Sequence, residues 1–342
     1  MKRLGSVSLG LGVLLVVSVG VSVSFGHSVA FADVLSVLLH HLSFGATAPP
    51  DPTADRIVWY LMMPRTVLAM LVGGGLAIVG VAMQALVRNP LAEPYILGLS
   101  SGASAGASLF YLGFLPPILS ATFSMPLAAF LGGLISMTLV YLVARQGRTL
   151  PVAQLLLAGV AMSALMGALT SFITFLSPDP NKLRAVLFWL LGSLGDALWE
   201  RLLFPGVACG IGLLVLLVLA RPMDALLLGE EPAYNLGVPV EAVKRILILV
   251  AALVTGALVA SAGAIGFVGL IVPHAVRALV GVPHRRVLLV SYFAGSVFLL
   301  WADLATRMLM PNQDLPVGIV TALTGVPFFL VLLRRQAYRF GS

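Results

Sequence analysis

Long apolar runs recur along the whole chain, and each is long enough to cross the hydrocarbon core of a bilayer. A spanning helix needs about 20 apolar residues to cover roughly 30 Å of hydrocarbon. Ten runs of this kind lie at residues 4–25, 66–87, 96–114, 119–143, 152–176, 202–220, 246–262, 265–280, 287–310 and 316–333. The sequence therefore predicts an all-α, polytopic membrane protein with about ten transmembrane helices, organised as one transmembrane domain over residues 1–342.

The composition agrees with burial in lipid rather than exposure to water. Only 10% of the 342 residues are charged and 60% are hydrophobic, whereas soluble domains carry about 25% charged residues. A net charge of +7 is also found in nucleic-acid-binding proteins, but here the basic residues are spread between the apolar runs. The single cysteine, Cys209, excludes a disulfide framework within the chain.

Ten spans place both termini on the same side of the membrane, and the charge distribution assigns that side. Of the 20 Lys and Arg residues, 14 fall on the side of the N-terminus and 6 on the opposite side. Because basic residues accumulate in cytoplasmic loops, we expect both termini in the cytoplasm. The first run is longer than the apolar part of most signal peptides, so we expect it to be kept as a helix.

Motifs for nucleotide, metal or hydrolytic chemistry are absent from the sequence. It contains no G-x-x-x-x-G-K-[ST], H-E-x-x-H, C-x-x-C or G-x-S-x-G. We therefore predict no catalytic residues and no metal site, and interpret His274 as a structural or interfacial residue. Intramembrane carboxylates are scarce; Asp303 is the nearest candidate, and it lies toward the outer end of its helix. Proton-driven carriers usually carry such carboxylates well inside the membrane, so this pattern disfavours that class.

Small polar residues follow one face of the fifth predicted helix, at steps of three and four. They are Ser163, Gly167, Thr170, Ser171 and Thr174, and the tenth helix adds Thr321, Thr324 and Gly325. One interpretation is close helix packing through small residues. The second interpretation is a weakly polar translocation path between two copies of the chain.

Two further patterns bear on organisation. Residues 71–76 resemble residues 253–258, and 164–167 resemble 322–325, in helices five spans apart. Such helices run in opposite directions, which is the arrangement of the inverted repeats found in transporters. The inner loop at 221–245 carries Glu230 and Glu231 ahead of Gly237, which predicts a short helix. That element is either a solvated connector or a docking element for a cytoplasmic partner.

Several strings together resemble a known family. They are PR at 64–65, QALVRNPLAEP at 84–94, LGLSSGA at 97–103, LLLAGV at 155–160, GEE at 229–231, GFVGLIVPH at 266–274 and LPVGIVTAL at 315–323. In this order they resemble the FecCD permeases, the membrane subunits of type II ABC importers for ferric siderophores, haem and cobalamin. The resemblance covers nearly the whole chain.

The resemblance implies a fold, partners and site residues. It implies a type II ABC importer permease fold, paired as a dimer, in the bacterial cytoplasmic (inner) membrane. It also implies two cytoplasmic ATPase subunits and a periplasmic substrate-binding protein as partners. This chain then binds no cofactor and no nucleic acid, while ATP and Mg belong to the partner ATPase.

Site residues follow from the matched motifs. ATPase coupling is implied for Glu230, Glu231, Ala233, Leu236 and Gly237, and a cytoplasmic gate for Asn89, Pro90 and Leu91. The resemblance places the translocation path along the fifth and tenth helices, and binding-protein docking at Arg65 and Arg307. The family's usual Arg is replaced by Met62, for which Arg56 is the candidate substitute, and its usual Pro is replaced by Ala264.

The sequence thus predicts a non-enzymatic permease subunit that moves an iron chelate or cobalamin by alternating access. An ion-gradient-driven secondary transporter is the main competing hypothesis, and it requires a buried carboxylate. An intramembrane enzyme would require a catalytic cluster at membrane depth. A purely structural scaffold would require that no central path exists.

Overall fold

The computed structural model describes residues 2–25, 29–48, 50–116, 118–119, 124–177, 179–310 and 315–337. In chain order the α-helices are α1 (Lys2–Ser24), α2 (Phe31–Leu42), α3 (Pro52–Asp55), α4 (Met63–Val87), α5 (Leu99–Tyr111), α6 (Met125–Ala144), α7 (Val152–Phe175), α8 (Pro180–Leu190), α9 (Leu203–Val218), α10 (Ala220–Leu226), α11 (Glu230–Asn235), α12 (Val240–Ala262), α13 (Val268–Val280), α14 (His284–Leu309) and α15 (Val317–Ala337). A π-helix at Arg56–Met62 leads into α4, and 3-10 turns lie at Pro94–Leu97 and Trp199–Arg201. The all-α prediction is confirmed.

Each of the ten predicted spans corresponds to a helix, namely α1, α4, α5, α6, α7, α9, α12, α13, α14 and α15. Among the described residues, seven helical stretches are long and apolar enough to cross a membrane by length and composition. The helices α5 and α13 have only 13 residues each. A helix of that length is about 20 Å long, so it covers only part of the hydrocarbon thickness.

The two short helices begin later than the sequence predicts. Helix α5 begins at Leu99 rather than at 96, because Gly98 is in the left-handed region with φ 74°. Helix α13 begins at Val268 rather than at 265, because Phe267 takes the same conformation with φ 69°. A non-glycine residue rarely adopts this conformation, so the surrounding packing must hold Phe267 there. A residue in the left-handed conformation therefore directly precedes each short helix.

Helices α12 and α6 also begin at residues other than the predicted ones. Helix α12 begins at Val240 rather than at 246, so the predicted inner loop at 221–245 ends earlier than expected. Its first turns carry Lys244 and Arg245. Because these residues are charged, the predicted apolar run began only at residue 246. Helix α6 begins at Met125, whereas the prediction began at 119, and residues 120–123 of that stretch lie outside the described part.

Helix α4 forms the centre of the core because it is apolar on all sides. Every residue from Val72 to Leu86 is buried, and α14, α12, α13 and α9 pack around it. Gly73 lies directly against Gly295 of α14, and a Cβ atom on Gly73 would collide with the Gly295 carbonyl. Close approach through small residues is the usual way in which membrane helices pack.

The helices α4–α7 and α12–α15 form two sets with the contact pattern of inverted repeats. Helix α4 packs against α14 of the second set, and α12 packs against α6 of the first set in the same way. Helix α5 contacts α12, while α13 contacts α4. The short helix is the second member in each set. This order supports the predicted inverted repeat.

Helix α7 lies at the edge of the chain. Its buried residues are only Leu155, Gly159, Thr170 and Ile173, although most of its residues are apolar. Large side chains on the rest of its surface are open, with Leu157 71% exposed and Phe175 86% exposed. Lipid or a second protein surface must therefore cover this helix.

Candidate translocation path, gate and coupling loop

The polar stripe predicted on the fifth span lies on α7, partly inside the chain and partly outside it. Thr170 is buried, Ser171 is exposed, and Ser163, Gly167 and Thr174 are intermediate. The Thr170 hydroxyl donates to the Met166 carbonyl at 2.8 Å, and the Thr174 hydroxyl donates to the Thr170 carbonyl at 2.6 Å. Because both threonine hydroxyls bond within their own helix, these two residues present a weakly polar surface without free donors.

The hydroxyls of α15 do not share one open face. Thr321 is completely buried, and its hydroxyl donates to the Gly318 carbonyl at 3.1 Å. Thr324 is exposed and lies in a groove with Leu11 of α1 and Trp301 of α14. Gly325 packs against the side chain of Phe267. Within one chain, Thr321 therefore serves helix packing, while Thr324 stays accessible.

The predicted gate residues form a tight turn at the end of α4. Arg88 ends the helix in the left-handed conformation with φ 54°, and Asn89 and Pro90 are exposed. The Asn89 side-chain oxygen accepts a hydrogen bond from the Leu91 backbone N–H at 2.9 Å. An Asn side chain that bonds the backbone two residues on stabilises such a turn locally.

Immediately after this turn, the chain is tied to the start of α13. The Tyr95 hydroxyl donates to the Ile265 carbonyl at 2.9 Å and accepts from the Ile265 N–H at 3.2 Å. Glu93 Oε1 accepts from the Phe267 N–H at 2.6 Å. These side chains satisfy the non-helical backbone before α13, as membrane-embedded irregular backbone requires.

The predicted short helix of the inner loop is confirmed as α11. Ala233 is completely buried against the core, whereas Glu231, Leu236 and Gly237 are exposed. Gly237 has φ 82° and ends this element. Exposed apolar side chains cluster in this loop, with Leu228 and Leu236 each 66% exposed and Tyr234 72% exposed. An exposed apolar patch on a loop between spans marks a protein-interaction surface.

Glu230, at the start of α11, is tied to a lysine that the sequence did not single out. Lys244 is 2% exposed, and its ammonium lies 3.0 Å from Glu230 Oε2 and 2.6 Å from Glu241 Oε1. The same ammonium donates to the Leu150 carbonyl at 2.9 Å. In the sequence, Lys244 stands with Arg245 directly before an apolar run. A lysine that is deeply buried almost always has a charged partner, and the position beside an apolar run was the available signal.

Two of the three predicted docking arginines are largely buried at the outer end of the helices. Arg65 Nη2 lies 2.8 Å from Asp303 Oδ1, and Arg307 Nε lies 3.2 Å from Asp303 Oδ2. Asp303 itself is 1% exposed, so its charge is neutralised inside the chain. Arg307 also donates to the carbonyls of Ser22 and Phe25. Arg56, by contrast, is exposed on the π-helix.

The described residues contain no group of three or more His, Cys, Asp or Glu side chains able to hold a metal ion. His274 stands alone on α13 and meets Phe328 edge-on at 6.3 Å, which agrees with its structural interpretation. Cys209 is buried in α9, and its thiol donates to the Leu71 carbonyl at 3.4 Å.

Comparison with known proteins finds permease proteins with sequences similar to this chain. The cobalamin import system permease protein BtuC of Halobacterium salinarum is 45% identical over 84% of this chain and 76% of its own length. The hemin transport system permease protein HmuU of Yersinia pestis is 42% identical over 84% of this chain and 86% of its own. The achromobactin transport system permease protein CbrC of Dickeya dadantii is 41% identical over 83% and 80%.

A solved structure shares the whole architecture. It is an inward-facing metal-chelate type ABC transporter with a TM-score of 0.83 and 30% identity, and the match covers 97% of this chain and 99% of that one. The model of the FecCD transport family matches residues 14–335. Membership in such a family agrees with the multi-pass membrane architecture and places the chain among transport subunits rather than enzymes. The chain therefore belongs to the FecCD transport family.

Proposed function

We propose that this chain is the membrane permease of an ATP-driven importer for an iron chelate or cobalamin. The cargo is a ferric siderophore, haem or cobalamin, which a periplasmic binding protein delivers. Transport proceeds by alternating access, in which the helices open first to the outside and then to the cytoplasm. Residues 1–342 act as one transmembrane domain, with residues 221–245 as the cytoplasmic coupling loop within it.

The exposed apolar patch of the inner loop carries this proposal. Leu227, Leu228, Tyr234 and Leu236 present large apolar side chains beside the spans, although the loop belongs to the aqueous side of the predicted topology. A secondary transporter has no need for such a surface, whereas a permease driven by a separate ATPase does. The coupling residues Glu230, Glu231, Ala233, Leu236 and Gly237 form or flank this patch. ATP and Mg bind on the partner, and this chain binds no cofactor.

The open surface of α7 supports a pair of identical permeases. Two copies that place α7 and α15 toward a common axis would cover the exposed face of α7 and enclose Ser171 and Thr324 between them. Ser163, Gly167, Thr170, Thr174 and Thr321 then shape the helices behind that surface. Such a path offers few free hydrogen-bond donors, so it passes a bulky chelate without holding it tightly. The turn of Asn89, Pro90 and Leu91 would close its cytoplasmic end.

On the outer face, we assign docking of the binding protein first to Arg56. It is exposed, whereas Arg65 and Arg307 are engaged with Asp303, and they would contribute mainly through the positive field of the buried cluster. The same cluster argues against the ion-gradient hypothesis. Asp303 is 1% exposed and both of its carboxylate oxygens contact guanidinium groups, so a transported cation has no open access to it.

Uptake into proteoliposomes tests the proposal. The chain would be reconstituted with its partner ATPase and a binding protein loaded with radiolabelled ferric siderophore, haem or cobalamin. We expect uptake of one chelate only with ATP, and loss of that uptake in Leu236→Arg. Val282→Arg, which changes a 57% exposed residue of the α13–α14 connection, is the matched control and should retain uptake. Uptake that follows an ion gradient without ATP would instead establish a secondary transporter.

A further inference from the structure

Lys244 joins three parts of the inner side that are far apart in the sequence. Its ammonium contacts Glu230 on α11, Glu241 on its own helix α12, and the carbonyl of Leu150 in the connection between α6 and α7. Leu150 is held at both of its backbone groups, because its N–H donates to Glu241 Oε2 at 3.0 Å. The α6–α7 connection is thus fastened to α12, and α11 is fastened to the same point.

The chemistry of this cluster makes it resistant to opening. The Lys244 side chain is 2% exposed, while Glu230 and Glu241 are 39% and 30% exposed. An ammonium buried to this extent needs a charged partner in every conformation, since an unpaired buried charge is strongly destabilising. Water reaches the two carboxylates more easily than it reaches the lysine. Separation of α11 from Leu150 therefore costs more than a joint movement of the two.

The chain leads directly from this cluster into α7. Pro151 follows Leu150 and precedes the first residue of α7, and its carbonyl accepts the Leu155 N–H at 3.0 Å. The proline ring fixes φ at this step, so the link between Leu150 and α7 has little freedom to absorb a displacement. Leu155 is completely buried and anchors the first turn of α7 in the core. A shift of Leu150 is consequently passed on to α7.

We propose that Lys244 is the positioning residue that transmits movement of the coupling loop to α7. It does so by holding Glu230 of α11 and the carbonyl of Leu150 in one rigid unit. The inference rests on the proposed function, in which an ATPase moves α11 and α7 borders the path. Arg245, the next residue, differs from Lys244 in its contacts. Its guanidinium donates to the Arg148 carbonyl of the same connection at 2.8 Å, and no described contact joins it to α11.

The test compares the ATP hydrolysed per chelate transported in proteoliposomes that hold the complete complex. Ferric siderophore, haem and cobalamin are each supplied on a binding protein. Glu230→Ala cuts α11 from the cluster and leaves Lys244, Glu241 and Leu150 together, so we expect about a tenfold rise in this ratio. Glu230→Gln keeps an acceptor oxygen for the ammonium and should give a smaller rise. Arg245→Gln is the matched control and should leave the ratio unchanged.

A stabilising role alone would lower the melting temperature of Glu230→Ala without changing this ratio, and that result would overturn the proposal. Equal rises in Glu230→Ala and Arg245→Gln would also overturn it. A distance measurement decides the linkage independently of transport. Spin labels at Asn235→Cys and Arg148→Cys in the purified chain should give one narrow distance distribution that broadens in Glu230→Ala and not in Arg245→Gln. Cys209 is 1% exposed, so it should escape labelling.

Failure of the proposed function has a different signature. If the unaltered complex transports none of the three chelates with ATP, the importer assignment fails, and the spin-label distances still establish or reject the tie through Lys244. A broad distribution in the unaltered chain would reject it.

Discussion

Gln84 of α4 donates a hydrogen bond from Nε2 to the carbonyl of Gly269 in α13 at 3.3 Å. In a regular helix that carbonyl would accept the N–H of the residue four positions later, which here is Pro273. Proline has no N–H, so the side chain of a neighbouring helix supplies the missing donor. The amide oxygen of Gln84 in turn accepts from Arg277. One buried glutamine thus repairs a proline break and joins α4 to α13.

This relationship predicts that Gln84→Leu and Pro273→Ala are not additive. Alone, Gln84→Leu should lower the free energy of unfolding by about 1–3 kcal/mol, because it leaves a buried carbonyl unsatisfied. Pro273→Ala restores an N–H within α13, so Gln84→Leu should cost less in that background. Denaturation of the four proteins in detergent gives the coupling energy. Purely additive effects would show that the proline and the glutamine act independently.

The contact of Tyr95 with Ile265 predicts an effect of a single oxygen atom. Tyr95→Phe removes both hydrogen bonds to the backbone of Ile265 and leaves that N–H and carbonyl without these partners. We expect the free energy of unfolding to fall by about 1–3 kcal/mol. Tyr60→Phe makes the same chemical change at a side chain that is 53% exposed, and it should leave the melting temperature nearly unchanged. Equal melting temperatures for both variants would contradict this assignment.

The buried carboxylate of Asp303 predicts strong destabilisation when its charge alone is removed. Asp303→Asn keeps the size of the side chain but removes the buried negative charge that the guanidinium groups of Arg65 and Arg307 both contact. Loss of one partner in a buried ion pair costs about 3–5 kcal/mol. Thermal unfolding in detergent measures the effect, with Asp196→Asn at an exposed outer position as the control. A change within about 0.5 kcal/mol, as at ordinary surface sites, would refute the structural role of Asp303.

The exposure of Arg56 predicts a salt-dependent role outside the membrane. Arg56→Glu should weaken association with the binding protein about tenfold at low ionic strength, mainly through the association rate. The difference should shrink at high salt because exposed charges are screened. Surface plasmon resonance at two salt concentrations measures it, and Arg201→Glu, another exposed outer arginine, is the comparison. Equal losses in both variants would indicate a general field rather than a contact at Arg56.

The helices could be predicted from the sequence, but the ion pairs and hydrogen bonds between residues far apart in the chain could not. The ten spans and the short helix α11 followed from apolar run length and from Glu and Gly signals, because lipid and helix ends select residues locally. The Leu150 carbonyl that Lys244 contacts could not be found in this way. Leu150 lies 94 positions away in the sequence, and no local pattern identifies a single backbone carbonyl as its acceptor.

The predicted docking arginines also have a partner that the sequence does not reveal. Arg65 and Arg307 matched family positions and sit on the outer side of the predicted topology, so an exposed role was expected. Only the packing of α4 against α14 brings Arg65 to Asp303, 238 positions away. A charged residue at an outer helix end predicts where that end lies relative to the membrane. It does not predict whether the residue already forms an ion pair inside the chain.

The sequence by itself determined that this protein is an all-α, multi-pass membrane protein, that it lacks catalytic motifs, and to which family it belongs. Those properties depend on composition, on the length of the apolar runs and on the order of short motifs. All three can be read directly along the chain. Only the tertiary structure decided where helices α5 and α13 begin, which side chains satisfy the irregular backbone before α13, and which charges are paired. Backbone groups deep in the protein have no water to bond, so their partners depend on which helices meet in three dimensions.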